Sequence, residues 1–278
     1  MTVPEASDVP LVLDGRRLEA KLWGEKDPDA PTLVLLHEGL GSVSLWRDFP
    51  ARLAEATGCP VFAYSRFGYG QSDAAPLPFP LTYMHDEALT VLPQVLTELG
   101  LRRVITLGHS DGASIAVIHA GGMQDFRLRG TILIAPHLFV EDISIASILA
   151  ARTAYETTDL RRRMMRHHRN PDNAFRGWND AWLDPRFRDW RIDEYVATVR
   201  VPILGIQGED DEYGTKAQLD ALATEALCPV ETHLIAGAKH APHLTHPKEV
   251  LGLIAPFVAR ILALESMKTP WRKGYDAK

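Results

Sequence analysis

Apolar residues along this chain follow two rhythms. Short continuous apolar runs alternate with longer stretches in which apolar residues recur every three or four positions, the pattern of strands interleaved with helices. Residues 32–36 read T-L-V-L-L and residues 61–64 read V-F-A-Y, each directly after a proline. Between them residues 49–57 have helical spacing, with Leu53 and Ala54 turned inward. Pro50 suits a first helical turn, where a missing N–H costs nothing. An amphipathic helix over 83–99, a strand over 103–107, a helix of small residues over 112–120 and a strand over 131–134 follow. Apolar runs without polar interruption belong to strands buried on both faces, so the expected sheet is mostly parallel and flanked by helices.

The rhythm breaks after residue 136. Residues 137–200 contain no buried-strand run and are rich in Arg, Trp, Asp and Ala. Alternation resumes with a strand over 203–207, a helix over 216–226, a strand over 231–235 and a closing helix over 247–264. The predicted organisation is an α/β core, residues 1–136 and 201–278, interrupted by a helical lid at 137–200. An insertion between two halves of one sheet covers the carboxyl ends of the strands, where open α/β sheets bind ligands. The polar tail from Met267 is expected to be mobile.

Composition narrows the setting. A chain of 278 residues suits one α/β domain with an insertion, and 46% hydrophobic with 24% charged residues describes a folded protein with a sizeable core. A net charge of -6 offers no general attraction to polyanions, so nucleic acid is not an expected partner. Residues 1–9 lack the basic start and apolar stretch of an export signal, and no apolar run is long enough to cross a bilayer. A cytoplasmic protein without a membrane partner, monomer or homodimer, is the expectation. Cys59 and Cys228, the two cysteines, have no metal-ligand spacing around them, so neither a metal nor a cofactor is expected.

Candidate chemistry lies between the predicted strand 103–107 and the small-residue helix. Gly108-His109-Ser110-Asp111-Gly112 is a G-x-S-x-G turn in a strand-to-helix setting. A serine there needs a cramped backbone, and the flanking glycines remove side chains that would collide with neighbouring segments. A neutral hydroxyl is a weak nucleophile and needs a base held in one tautomer by an acid. Gly208-Glu209-Asp210-Asp211 follows one late strand and Ala238-Lys239-His240-Ala241-Pro242 the next, which gives the chain order Ser, Asp, His. Ser110 is the candidate nucleophile, His240 the base and Asp211 the orienting acid, with Asp210, His243 and His246 as the alternatives nearby. Asp111 and the loop His37-Glu38-Gly39-Leu40-Gly41-Ser42 are placed to supply two backbone N–H groups for an oxyanion hole, Gly39 ahead of Leu40.

From about residue 9 to residue 264 these pieces resemble the α/β-hydrolase superfamily: H-E-G-L-G-S at 37–42, S-R-F-G-Y-G-Q-S at 65–72, G-H-S-D-G at 108–112, G-E-D-D at 208–211 and K-H-A-P at 239–242. The resemblance implies a triad of Ser110, Asp211 and His240. Two positions depart from the common pattern: Glu38 where many relatives carry the glycine of H-G, and Asp111 where esterases often carry Met, Gln or Leu. Serine at position 110 argues against the dehalogenase and epoxide hydrolase chemistries of this fold, which use an aspartate there, and implies a carbonyl acyl donor. The S-D-G elbow is similar to that of valacyclovir hydrolase, an α-amino-acid ester hydrolase, which by analogy assigns Asp111 to a cationic group of the substrate. An unpaired carboxylate beside an oxyanion would oppose the charge developing there, so something positive must face it, a substrate ammonium or an arginine of the lid.

Nine arginines crowd residues 161–191. They form either a collar for a carboxylate or for coenzyme A phosphates, or a solvated face paired with acids. Trp178 and Trp182, with Trp190, offer an apolar underside for the lid. Glu38, Asp111, Trp178 and Trp182 are the candidate substrate contacts. The expected activity is hydrolysis of a carboxylic ester or thioester of a small to medium acyl group through an acyl-enzyme, without cofactor. Cleavage of carbon–carbon bonds in ring-cleavage products, lactone hydrolysis and a non-catalytic ligand receptor are the alternatives.

Overall fold

Along the central strands, successive side chains enter opposite apolar clusters. Leu33 and Leu35 belong to one, Val34 and Leu36 to the other, and Val61 and Ala63 separate from Phe62 and Tyr64 in the same way. Pleated strands impose this period of two, and it explains why runs with no polar interruption are strands covered on both faces.

The computed structural model describes residues 4–25, 27 and 30–267. The chain opens with β1 (Ala6–Asp8), the two-stranded ribbon β2 (Val12–Leu13) and β3 (Arg16–Arg17), and β4 (Ala20–Trp23). It continues through β5 (Thr32–Leu36), α1 (Phe49–Thr57) and β6 (Val61–Tyr64). Then come α2 (Tyr83–Asp86), α3 (Leu92–Glu98), β7 (Val104–His109), α4 (Asp111–Gly122) and β8 (Leu128–Ile134). Between β8 and β9 (Ile203–Gly208) lie α5 (Asp142–Thr157), α6 (Leu160–Met164), α7 (Pro171–Trp182) and α8 (Asp193–Val196). The last elements are α9 (Ala217–Glu225), β10 (Val230–Ile235), α10 (Pro242–Thr245) and α11 (Pro247–Met267). The eight-stranded sheet has the order β1-β4-β6-β5-β7-β8-β9-β10. Pairing is antiparallel at β1–β4 and β4–β6 and parallel across the rest.

Helices α1 and α11 pack with one face of the sheet through Leu53, Ala54, Val250, Ile254 and Phe257. The other face receives Val95 and Leu96 of α3, Ile115 and Ile118 of α4 and Leu219 and Leu222 of α9. The same cluster includes Ile148, Phe175, Trp178 and Trp182 from the segment after β8. Its final helix, α8, packs against α4 and α9.

The predicted helix over 83–99 is instead two α-helices joined by a π-helical turn, Glu87–Val91. Pro93, early in α3, has no N–H to donate back along the helix, which loosens the ladder there. The closing helix runs beyond its predicted end to Met267, and the tail after it lies outside the described residues, as do residues 1–3. Strands β1 to β4 gave no pattern signal, being two to four residues long. No helix among the described residues is long and apolar enough to cross a membrane.

Candidate active site

Ser110 sits where β7 hands over to α4, with φ 54° and ψ -118°. A side chain at positive φ is strained, so surrounding contacts must hold it. The Ser110 N–H donates to Ile134 O on the neighbouring β8 at 2.9 Å, and Ser110 O accepts the first helical bond of α4, from Ala113 N at 2.8 Å. A Cβ on Gly108 would collide with the Gly112 carbonyl, and one on Gly112 with the Leu36 carbonyl of β5. Both glycines are therefore needed for the turn to close against the sheet.

Asp211 follows β9 and is buried. His240 Nδ1 donates to its two oxygens at 2.8 and 3.0 Å. A ring that donates through Nδ1 leaves the Nε2 lone pair free to accept a proton. The Asp211 carboxylate also accepts from Tyr213 N at 2.8 Å, Gly214 N at 3.3 Å and Gln207 Nε2 at 3.2 Å. Burial disfavours its charge, but the bond and charge of His240 outweigh burial and hold the carboxyl below its usual range. Asp210 is exposed. His243 is buried against Trp46 and Phe49, and His246 bonds Thr245 Oγ1.

Ser110 and His240 line one cavity of about 100 Å³. Its walls are mostly apolar: Leu40, Ile148, Trp178, Trp182 and Tyr213. Glu38, Gly39, Asp111 and His137 complete it. Burial and the nearby His240 charge push His137 down to about 3, so a neutral imidazole faces the space. The Trp178 indole lies so close to Gly39 that a Cβ there would meet the ring.

Asp111 is fully buried, and its carboxylate is already bonded. Tyr83 Oη donates to Oδ2 at 2.5 Å and Trp182 Nε1 to Oδ1 at 3.2 Å, and Arg66 Nη2 lies 3.9 Å from Oδ2. Burial raises the Asp111 pKa, against the pull of Arg66 and these two bonds. The positive group expected beside it is thus Arg66, from the loop after β6, and not an arginine of the 161–191 stretch. None of those nine arginines lines the cavity. Arg161, Arg162, Arg163, Arg169, Arg186, Arg188 and Arg191 pair with aspartates, in part-exposed or exposed ion pairs. The solvated-face alternative is the one this geometry matches.

Glu38 stands 3.5 Å from His109 Nδ1, with its side chain 29% exposed. Burial works against its charge, but His109 and His37 outweigh burial and hold the carboxyl well below the ordinary range. Sequence patterns did not single out Arg66, His137, Tyr83 or Tyr213. Arg66 was legible only as a member of S-R-F-G-Y-G-Q-S, and the others carry no local signal. Among the described residues no group of three or more His, Cys, Asp or Glu is arranged to hold a metal ion.

A family model described as the alpha/beta hydrolase family matches residues 33–253. The chain is 24% identical over 275 residues to a proline iminopeptidase of Lactobacillus helveticus, covering 84% of this chain and 91% of the relative. It is 23% identical over 250 residues to a proline iminopeptidase of Lactobacillus acidophilus, covering 75% and 85%. A crystal structure of a proline iminopeptidase from Mycobacterium smegmatis superimposes with a TM-score of 0.74 at 20% identity, over 93% of this chain and 100% of that one.

Proposed function

The chain belongs to the alpha/beta hydrolase family, and from that premise we propose that it is a serine hydrolase that transfers a small acyl group to water. Ser110 attacks the carbonyl while His240 Nε2 takes its proton. Asp211, bonded to the Nδ1 side, holds the ring and stabilises its charged form. The Gly39 and Asp111 N–H groups stabilise the tetrahedral alkoxide. The leaving group departs with the proton from His240, and a water activated by the same imidazole frees the acyl-enzyme. Residues 137–200 act in this reading as the lid that closes the acyl site. What carries the proposal is that Ser110, on a strained elbow, and the Asp211-bound His240 line one cavity.

A space of about 100 Å³ is smaller than the roughly 150 Å³ cavity that holds benzene in an engineered protein interior, so the acyl group is small and apolar. Carboxylic esters or thioesters suit this space. A second reading, amide hydrolysis after an amino-terminal residue, is favoured by the names of the curated relatives and by the two carboxylates, Glu38 and Asp111, beside Ser110. Asp111 is the weaker of the two as an ammonium site, because both its oxygens already accept protein donors. Fluorophosphonate labelling tests the nucleophile: loss of labelling in Ser110→Ala supports it, and an unlabelled wild type rejects it. A panel of para-nitrophenyl esters, an acyl thioester, prolyl and alanyl para-nitroanilides, a lactone and a vinylogous diketone then separates the substrate classes. Turnover of the anilides alone would replace the ester reading, and turnover of the diketone alone would replace both.

A further inference from the structure

Arg66 is 4% exposed and reaches the oxyanion loop with three groups. Its backbone N–H donates to His37 Nε2 at 3.1 Å, Nη1 to His37 O at 2.5 Å and Nη2 to Glu38 O at 3.2 Å. The Glu38 carbonyl oxygen also accepts from His37 Nδ1 at 2.7 Å and from Gly41 N at 3.0 Å. Three donors thus fix one carbonyl. A trans peptide is planar, with its N–H pointing opposite its C=O, so fixing the Glu38 carbonyl also fixes the Gly39 N–H. Donors on the oxygen further polarise the amide and strengthen its N–H. The same guanidinium lies 3.9 Å from the carboxylate of Asp111, whose own N–H is the second proposed donor.

We propose that Arg66 is a positioning residue for the oxyanion hole: it holds the Glu38–Gly39 peptide with its N–H aimed at the developing alkoxide and offsets the Asp111 carboxylate behind it. The inference rests on the acyl-hydrolase reading above. It applies to that reaction whether the leaving group is an alcohol, a thiol or an amine, since all pass through the same tetrahedral oxygen. Buried charge is ordinarily costly, and Arg66 carries one in a place where its fork meets two carbonyls and a carboxylate.

Arg66 also stacks on Tyr69, with the guanidinium 4.8 Å from the ring centre, so substitution can cost stability as well as activity. The test therefore needs a readout specific to the oxygen. An oxo ester and its thiono analogue are compared in wild type, Arg66→Lys and Arg66→Gln, with thermal unfolding run alongside. Sulfur accepts hydrogen bonds weakly, so an effective hole favours the oxo ester. Both variants are expected to lose about 10- to 100-fold in kcat on the oxo ester with KM little changed, and the oxo-to-thiono ratio is expected to fall in step. Lysine should retain more than glutamine, because it keeps the charge facing Asp111 and loses only the fork.

A folded variant that keeps the wild-type ratio, whatever its kcat, overturns the proposal. If neither variant folds, or if the wild type hydrolyses neither ester, a crystal structure of the wild type with a boronic acid on Ser110 decides. A boronate oxygen within hydrogen-bond distance of Gly39 N, with Arg66 still on Glu38 O, supports the proposal, and an oxygen held elsewhere overturns it. A wild type that is inert to both fluorophosphonate and boronic acid removes the acyl-hydrolase reading and this inference together.

Discussion

Trp182 Nε1 donates to Asp111 Oδ1 at 3.2 Å and shares the same hydrogen with Tyr83 Oη at 3.0 Å. This contact fastens α7, in the helical segment after β8, to the residue that follows Ser110. Position and polarity are joined here: a large apolar ring lines the cavity while its single polar atom donates to a buried carboxylate.

Trp182→Phe keeps an aromatic ring in place but removes that donor. A hydrogen bond to a charged group contributes about 1.5–3 kcal/mol, so the variant should unfold several degrees below the wild type by calorimetry. An unchanged Tm would mean that the bond contributes nothing to the fold.

Asp211→Asn leaves the shape of the carboxylate but not its charge, and favours the wrong tautomer of His240. A fall in kcat of about 10³- to 10⁴-fold is expected. Ser110→Ala combined with Asp211→Asn should be no slower than Ser110→Ala alone, because residues acting as a unit are not additive. A double variant distinctly slower than both singles would show that the two act separately.

Glu38 is held below the usual carboxylate range, so its ionised form contributes stability that is complete above the unfolded value near 4.3 and is lost as pH falls beneath it. Glu38→Gln lacks this contribution at every pH. The Tm difference between wild type and variant should be full above about pH 5 and should narrow steadily in acid. A gap that stays constant down to about pH 3 contradicts the lowered carboxyl of Glu38.

Trp178 lies on Gly39 and lines the cavity that holds Ser110 and His240. Trp178→Ala should raise kcat/KM for bulkier acyl groups relative to acetyl by about 10-fold or more, since each added methylene in an apolar site is worth roughly 1–3 kcal/mol. Unaltered chain-length preference would place the acyl group elsewhere.

Arg161, Arg186 and Arg191 pair with Asp172, Asp184 and Asp193 at the surface. Exposed pairs contribute about 0–1 kcal/mol, so each Arg→Gln variant should keep kcat/KM within about twofold, acyl thioesters included. A selective loss on a coenzyme A thioester would restore the collar expected as one option from the sequence.

The amino-acid sequence by itself determined the strand and helix rhythm, the G-x-S-x-G turn and the order of Ser110, Asp211 and His240, because these are local: periodicity follows from burial, and a strained turn demands glycine at 108 and 112. It left β1 to β4 unread, since strands of two to four residues carry too little pattern, and it did not register the break that Pro93 makes in the helix after residue 83. Which arginine faces Asp111 and what the arginines of residues 161–191 touch were decided only by tertiary structure. Those are contacts between residues far apart in the chain, such as Arg66 with Asp111, and sequence spacing contains no distance for them. Chain order can name the participants in a site, but the packing of several strands and loops chooses which charges end up side by side.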